Sequence, residues 1–214
     1  MPVITVAHTK GGVGKSMISW NLAGAFNGTI LDLDFQQSLS HNNDLRKKYG
    51  LKPFKVLEIN SVEEFLQASK KASLAEWIII DTGGFDDDLL RFVITYADIV
   101  ITPALESNTE LFGLQTFGRI LNDLQGQTMK NVFSCVLLNK IHPNSTNFEV
   151  IKTICDADEK LVLMDTIIRE RSIYKKSFNV GKTIFETTNS VAKAEFTALK
   201  KEITKRLANE IVNG

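Results

Sequence analysis

Lys10-Gly11-Gly12-Val13-Gly14-Lys15-Ser16 directly follows the β-branched, apolar run Val3-Ile4-Thr5-Val6-Ala7. It precedes a segment in which Ile18, Leu22, Ala25 and Phe26 recur at helical spacing. A glycine-rich turn between a buried strand and a helix is the setting of a phosphate-binding loop. Glycines let backbone N–H groups turn inward around phosphate oxygens, where a side chain would obstruct them. The first turn of the helix adds its free N–H groups and partial positive charge. In such a loop Lys15 reaches the β- and γ-phosphates of a nucleotide, and the Ser16 hydroxyl serves Mg²⁺. The general pattern G-x-x-x-x-G-K-[ST] asks for a first glycine at position 9, where this chain has Thr9.

The rest of the chain repeats the alternation that flanks the loop. Thr29-Ile30-Leu31-Asp32-Leu33, Trp77-Ile78-Ile79-Ile80, Ile99-Val100-Ile101-Thr102 and Val132 to Leu138 are short apolar runs suited to strands buried on both faces. Helical periods lie between them, as in Leu114, Phe117, Leu121 and Leu124. This order predicts an α/β fold, doubly wound, with a mostly parallel sheet and helices on both faces. With 4 prolines and no linker or repeat, residues 1–214 are expected to form a single P-loop ATPase domain. The last helix is expected over Ser190 to Val212, with Ser190 as N-cap and an apolar stripe of Phe196, Leu199, Ile203, Leu207 and Ile211. Docking on the sheet accounts for that stripe; lying on a membrane surface is the other reading.

Composition removes several classes. Among 214 residues 43% are hydrophobic and 23% charged, which excludes disordered and fibrous chains. No run approaches the roughly 18 apolar residues of a membrane span. No basic region precedes Val3, so a signal peptide is not expected. Cys135 and Cys155 form neither a C-x-x-C pair nor a disulfide framework, which also disfavours a metal-cluster carrier.

Lys10 lacks a task within its own phosphate loop, and the Lys-Gly-Gly-Val-Gly-Lys-Ser string resembles the deviant Walker A motif of the ParA/MinD family of ATPases. In that family position 9 varies and an extra lysine opens the loop. The resemblance covers nearly the whole chain. It implies that Lys10 crosses a dimer interface to the phosphates of ATP held by the other subunit. Leu31-Asp32-Leu33-Asp34-Phe35-Gln36 is similar to the family's D-x-D-P-Q segment, with Phe35 in place of proline. By that match Asp34 is the carboxylate that positions the attacking water, and Asp32 supports it; capping the following helix is the alternative role for Asp34.

The run Trp77 to Ile80 ends in Asp81-Thr82-Gly83-Gly84, a Walker B pattern that places a carboxylate near Mg²⁺ and two glycines in a switch. Asp86-Asp87-Asp88 reads as a helix start rather than a metal site. Asn139-Lys140-Ile141-His142 stands where guanine-reading proteins on related folds carry Asn/Thr-Lys-x-Asp; His142 in place of Asp favours adenine. The resemblance implies that Asn139 contacts the adenine, while turn formation is the other reading. Together these matches make Lys10, Lys15 and Asp34 the expected catalytic residues. Nucleotide contacts are expected from Lys10, Gly11, Gly12, Val13, Gly14, Lys15, Ser16, Met17 and Asn139. Metal contacts are expected from Ser16, Asp34 and Asp81, so the cofactors are ATP and Mg²⁺.

The formal charge of zero, 25 Lys+Arg against 25 Asp+Glu, hides a division. Residues 169–206 carry ten bases (Arg169, Arg171, Lys175, Lys176, Lys182, Lys193, Lys200, Lys201, Lys205 and Arg206) against Glu170, Glu186, Glu195 and Glu202. That segment is therefore +6 and the remainder −6. A stripe doubled by two-fold symmetry suits nonspecific DNA phosphates; a solvated helix face is the plainer alternative. With the resemblance, the expectation is a cytoplasmic DNA-partition ATPase, nucleoid-associated when ATP-bound. It would be a homodimer on ATP, stimulated by a ParB-like centromere-binding protein, with no membrane contact. A membrane-positioning ATPase like MinD and a conjugation or cargo-positioning ATPase are the alternatives.

Overall fold

The computed structural model describes residues 1–128 and 131–213, with 108, 109 and 210–213 as backbone alone. Strands β1 (Val3–Val6), β2 (Thr29–Leu33), β3 (Val56–Glu58), β4 (Ile78–Thr82), β5 (Ile99–Ala104), β6 (Ser134–Ile141) and β7 (Leu161–Arg169) form one sheet. The order is β3-β2-β4-β1-β5-β6-β7, and every ladder is parallel. The crossovers are carried by α1 (Lys15–Phe26), α2 (Ser38–Lys48), α3 (Val62–Lys71), α4 (Asp88–Tyr96), α5 (Asn108–Thr128), α6 (Glu149–Ala157), α7 (Ser172–Phe178) and α8 (Ser190–Asn213). A 3-10 turn, Ile184–Glu186, precedes α8.

Successive strand residues point to opposite faces, and both faces are covered. Ile4, Val6, Ile79, Ile101 and Leu137 pack with Ile18 and Leu22 of α1 and Phe196, Leu199 and Ile203 of α8. On the other face Val100, Val136 and Leu138 meet Leu114, Phe117 and Leu121 of α5, and Val3, Leu31 and Ile80 meet Phe65 and Val93. Two-sided burial is why the strands read as unbroken apolar runs. The chain leaves β1 for β2 on one side and returns through β5 to β7 on the other. The carboxyl end of β1, where the glycine loop lies, is therefore the topological switch point at which such sheets bind ligands.

Some boundaries differ from the sequence-based expectation. The strand expected from Val132 begins at Ser134 and continues to Ile141. The short edge strand β3 and the strand β7 were not expected. The pattern of β7 is interrupted at Asp165-Thr166, where the ladder jumps from Leu163 to Ile167. The N–H groups of those two residues donate to the Glu202 carboxylate of α8, each at 2.9 Å. Helix α8 is capped by Asn189, whose Oδ1 accepts the Ala192 N–H at 2.9 Å, so Ser190 is its first helical residue rather than the cap. Its stripe lies in the core, with Phe196, Leu199 and Ile203 fully buried, so it is not free to rest on a membrane; the side chain of Ile211 lies outside the described residues. No described helix is long and apolar enough to cross a membrane.

One polar cluster ties the front of the sheet to the segment before α8. Arg46 of α2 donates to both Glu186 carboxylate oxygens, at 2.7 and 2.9 Å, and to the carbonyls of Gly181 and Lys52. Its guanidinium also sits 4.4 Å from the centroid of Phe54 and 5.8 Å from that of Trp20. Arg46→Ala is expected to destabilise by about 3 kcal/mol, the low end for a broken buried pair because Glu186 is one-third exposed. That corresponds to a melting temperature lower by roughly 6–12 °C in thermal denaturation.

Candidate nucleotide-binding site

The loop between β1 and α1 is held open by donors from outside it. Gly12 and Gly14 adopt φ of +80° and +98°, backbone that a side chain disfavours. At Gly14 a Cβ would also collide with Asn139 Nδ2. Asn139 Nδ2 donates to the Val13 carbonyl and Lys140 Nζ to the Gly12 carbonyl, each at 2.7 Å. In a trans peptide the N–H points opposite to the C=O, so these bonds turn the N–H groups of Val13 and Gly14 the other way. Val13 and Gly14 thereby present two successive backbone donors, as an anion cradle requires. At the start of the loop Lys15 Nζ donates to the Lys10 carbonyl at 3.1 Å.

Lys15 is nearly buried, and burial pulls its ammonium below the ordinary lysine value, against the pull of the Asp81 and Asp34 carboxylates. Asp81, the penultimate residue of β4, is fully buried and accepts from the Ser19 hydroxyl at 2.7 Å. Burial pushes its carboxyl up to about 7, with hydrogen bonds from Ser19 and Ser16 acting in the opposite direction. Its Oδ2 is buried without a hydrogen-bond partner among the described residues, as is Asn139 Oδ1. A buried carboxylate oxygen beside a serine, with no partner of its own, suits a cation that completes its shell with water and phosphate oxygens. The described residues hold no group of three or more His, Cys, Asp or Glu able to bind an ion unaided. The donor set therefore fits Mg²⁺ carried in with a nucleotide. Gly84 brings the end of β4 alongside the loop, where a Cβ would touch the Thr9 carbonyl and Lys15 Nζ.

The two acids at the carboxyl end of β2, Asp32 within it and Asp34 just after it, divide their tasks. Asp32 is buried and its Oδ2 accepts the N–H groups of Leu39 and Ser40, at 3.1 and 3.0 Å, in the first turn of α2. Burial raises its carboxyl above the usual range, with the Ser40, Asp34 and Leu39 N–H groups opposing. The helix-anchoring role considered for Asp34 thus falls to Asp32. Asp34 is half-buried, accepts the Gln36 N–H at 3.0 Å, and is near enough for its charge to act on Lys15. Asp87 caps α4 through the Leu90 N–H at 2.7 Å, in line with the helix-start reading. The Met17 side chain packs partly against the core; a thioether carries no donor, so the expected nucleotide contact of this residue would be one of its backbone N–H.

Two features were not read from the sequence. Lys10 Nζ is bound at 3.1 Å by Glu110 of α5, which also meets His8; a glutamate a hundred residues away carries no local signal. Exposed phenylalanines, Phe35, Phe85 and Phe112, follow β2, β4 and β5 around the loop, with 71–87% of their surface accessible.

The basic region is less free than its count implies. Arg171 pairs with Glu195 and Arg206 with Glu202. Arg169 donates to the His142 and Ser145 carbonyls, and Lys200 to the Ala25 carbonyl. Lys175 and Lys176 of α7 and Lys201 and Lys205 of α8 are exposed. Cys135 and Cys155 are buried free thiols in a strand and a helix.

A glycine cradle at the switch point, two lysines and a buried strand-end aspartate define a P-loop nucleotide-binding protein. Residues 4–184 match the CobQ/CobB/MinD/ParA nucleotide binding domain, and the chain belongs to that family. It is 23% identical over 189 residues to Maintenance of carboxysome distribution protein A of Halothiobacillus neapolitanus (strain ATCC 23641 / c2), covering 86% of each chain. Apo McdA of Cyanthece superposes with a TM-score of 0.72 at 18% identity, over 95% of this chain and 99% of that one. A putative plasmid partition protein from Borrelia burgdorferi B31, bound to AMPPNP, gives 0.65 at 18% identity over 95% and 99%.

Proposed function

We propose that this chain is a Mg²⁺-dependent, ParA-type ATPase that closes into an ATP-sandwich homodimer and attaches to nonspecific DNA in that state. The observation that carries this reading is the divergence of the two loop lysines. Lys15 turns inward and is nearly buried, whereas the Lys10 side chain, 30% exposed, stands at a rim bordered by exposed phenylalanines. A second copy related by two-fold symmetry would cover that rim and bring its own phosphates to Lys10.

When bound, ATP with Mg²⁺ supplies the phosphoanhydride that is cleaved and the charge that polarises it. Within the chain, the N–H groups of Val13 and Gly14 would face the phosphates, and Lys15 would exchange the Lys10 carbonyl for phosphate oxygens. Ser16 and Asp81 would hold the metal's shell. Asp34, the proposed catalytic carboxylate, would orient the attacking water. Asn139 braces the loop, and its unpartnered Oδ1 is the atom available to an adenine amino group.

Lys175, Lys176, Lys201 and Lys205 would meet DNA phosphates, and a ParB-like protein would stimulate hydrolysis. Cargo positioning is the second reading, favoured by the likeness to the carboxysome-distribution protein over most of both chains; it shares the same switch. Gel filtration and DNA binding with ATP, ADP and an Asp34→Ala variant test the proposal. ATP but not ADP should produce the dimer and the DNA affinity. Asp34→Ala should accumulate that dimer while slowing hydrolysis about 100-fold or more. The switch reading is wrong if ATP alters neither oligomeric state nor DNA affinity.

A further inference from the structure

Ser16 and Ser19 stand three residues apart in α1 and so share one face of that helix, with Ser19 farther from the phosphate loop. Ser19 is fully buried, as is the Asp81 carboxylate that it meets. Its Oγ lies 2.7 Å from Asp81 Oδ1 and 3.1 Å from the Lys15 carbonyl. A hydroxyl carries one proton. The shorter contact and the charged acceptor assign that proton to the carboxylate. A serine inside a helix ordinarily bonds only the carbonyl one turn back, here that of Lys15, and nothing in the local sequence marks this one as different. The fold does mark it, because β4 ends in a buried acid opposite this face. Asp81 Oδ2 is left without a partner among the described residues.

A carboxylate that serves a metal has two oxygens to place. Holding one of them fixes the plane of the group and decides which oxygen is left for the cation. Carboxylates in metal sites are themselves oriented by hydrogen-bond donors, and loss of such a donor typically costs about 10–100-fold in metal affinity. We infer that Ser19 is a positioning residue for Mg²⁺: it holds Asp81 Oδ1, so that Oδ2 is the oxygen presented to the cation carried in with the nucleotide. The inference rests on the Mg²⁺-nucleotide reading given above and adds a residue to it. Ser19 acts only through Asp81. Ser16, on the same face and next to Lys15, keeps the direct metal contact expected of it.

Ser19→Ala removes the hydroxyl with little change in volume and substitutes the strongest helix former, so the far-UV circular dichroism spectrum should be unchanged. Mn²⁺ is a suitable probe ion, because its free form is counted by its paramagnetic signal. Titrated into AMPPNP held by excess protein, Mn²⁺ should show a dissociation constant at least about tenfold higher for Ser19→Ala than for the native chain. Affinity for AMPPNP in EDTA should stay within about threefold, since the bonds that Asn139, Lys140 and Lys15 make to the loop are untouched. A merely structural role would disturb α1 and weaken both affinities together, so loss confined to the metal is the distinguishing result. A metal affinity changed by less than about tenfold, or a parallel fall in both affinities, overturns the positioning role and leaves the Mg²⁺ reading standing. A native chain whose AMPPNP complex holds Mn²⁺ no more tightly than free AMPPNP does overturns that reading and the role of Ser19 with it.

Discussion

A Lys15→Ala variant is expected to lose nucleotide binding by a factor of about a thousand or more. Lys15 is the cation held deepest in the loop, with its ammonium already drawn down by burial and kept in place by the Lys10 carbonyl and the Asp81 and Asp34 charges. A bound triphosphate would stand among those two carboxylates, and without Lys15 its negative charge meets theirs uncompensated. Truncating one partner of a buried charge pair costs about 2–5 kcal/mol, and a thousandfold loss is about 4 kcal/mol. The fold should survive. A lysine whose folded-state value is lowered is disfavoured as an ion by the folded state, so replacing it removes a desolvation penalty and the melting temperature should not fall. Titration with a fluorescent ATP analogue, alongside thermal melting, separates the two effects. Binding within tenfold of the native chain would remove Lys15 from the phosphate site.

Much of this site could be read from the chain because it is local. The loop from Lys10 to Ser16 is contiguous, and Asp34 and Asp81 follow apolar runs whose ends a parallel sheet gathers at one edge. Helical and strand periods also gave β1, β2, β4, β5 and β6, since burial on both faces leaves an unbroken apolar signal. The signal failed where tertiary contacts replace it. β3 has only three residues and β7 is broken by a polar pair whose backbone is satisfied from α8. The cap of α8 moved to Asn189 because an amide oxygen could reach the Ala192 N–H. Charge counting overstated the basic region, because ion pairs with Glu195 and Glu202 and bonds to carbonyls engage four of its ten bases. Glu110 was invisible for the opposite reason: a lone acid in the first turn of a helix looks like a favourable dipole contact until the fold sets Lys10 and His8 beside it.

Lys10→Ala should separate binding from assembly. The phosphate cradle is built from the backbone of Gly11 to Gly14, braced by Asn139, Lys140 and Lys15, and none of those bonds uses the Lys10 side chain. Monomer affinity for ATP is therefore expected to stay within about threefold, whereas the proposed ATP-sandwich dimer should weaken at least a hundredfold, because the two charge contacts which that proposal assigns to Lys10 disappear at once. The same change has a cost inside the subunit. Glu110 loses its cation while still buried against His8, so the single variant should melt below the native chain. Adding Glu110→Gln removes the stranded charge and should restore the melting temperature without restoring the dimer. Melting curves and sedimentation of the native chain, both single variants and the double variant read these two consequences independently. If the double variant recovers assembly as well as stability, the Lys10 ammonium is not a contact across the interface, and its association with the phosphates must be sought within its own subunit.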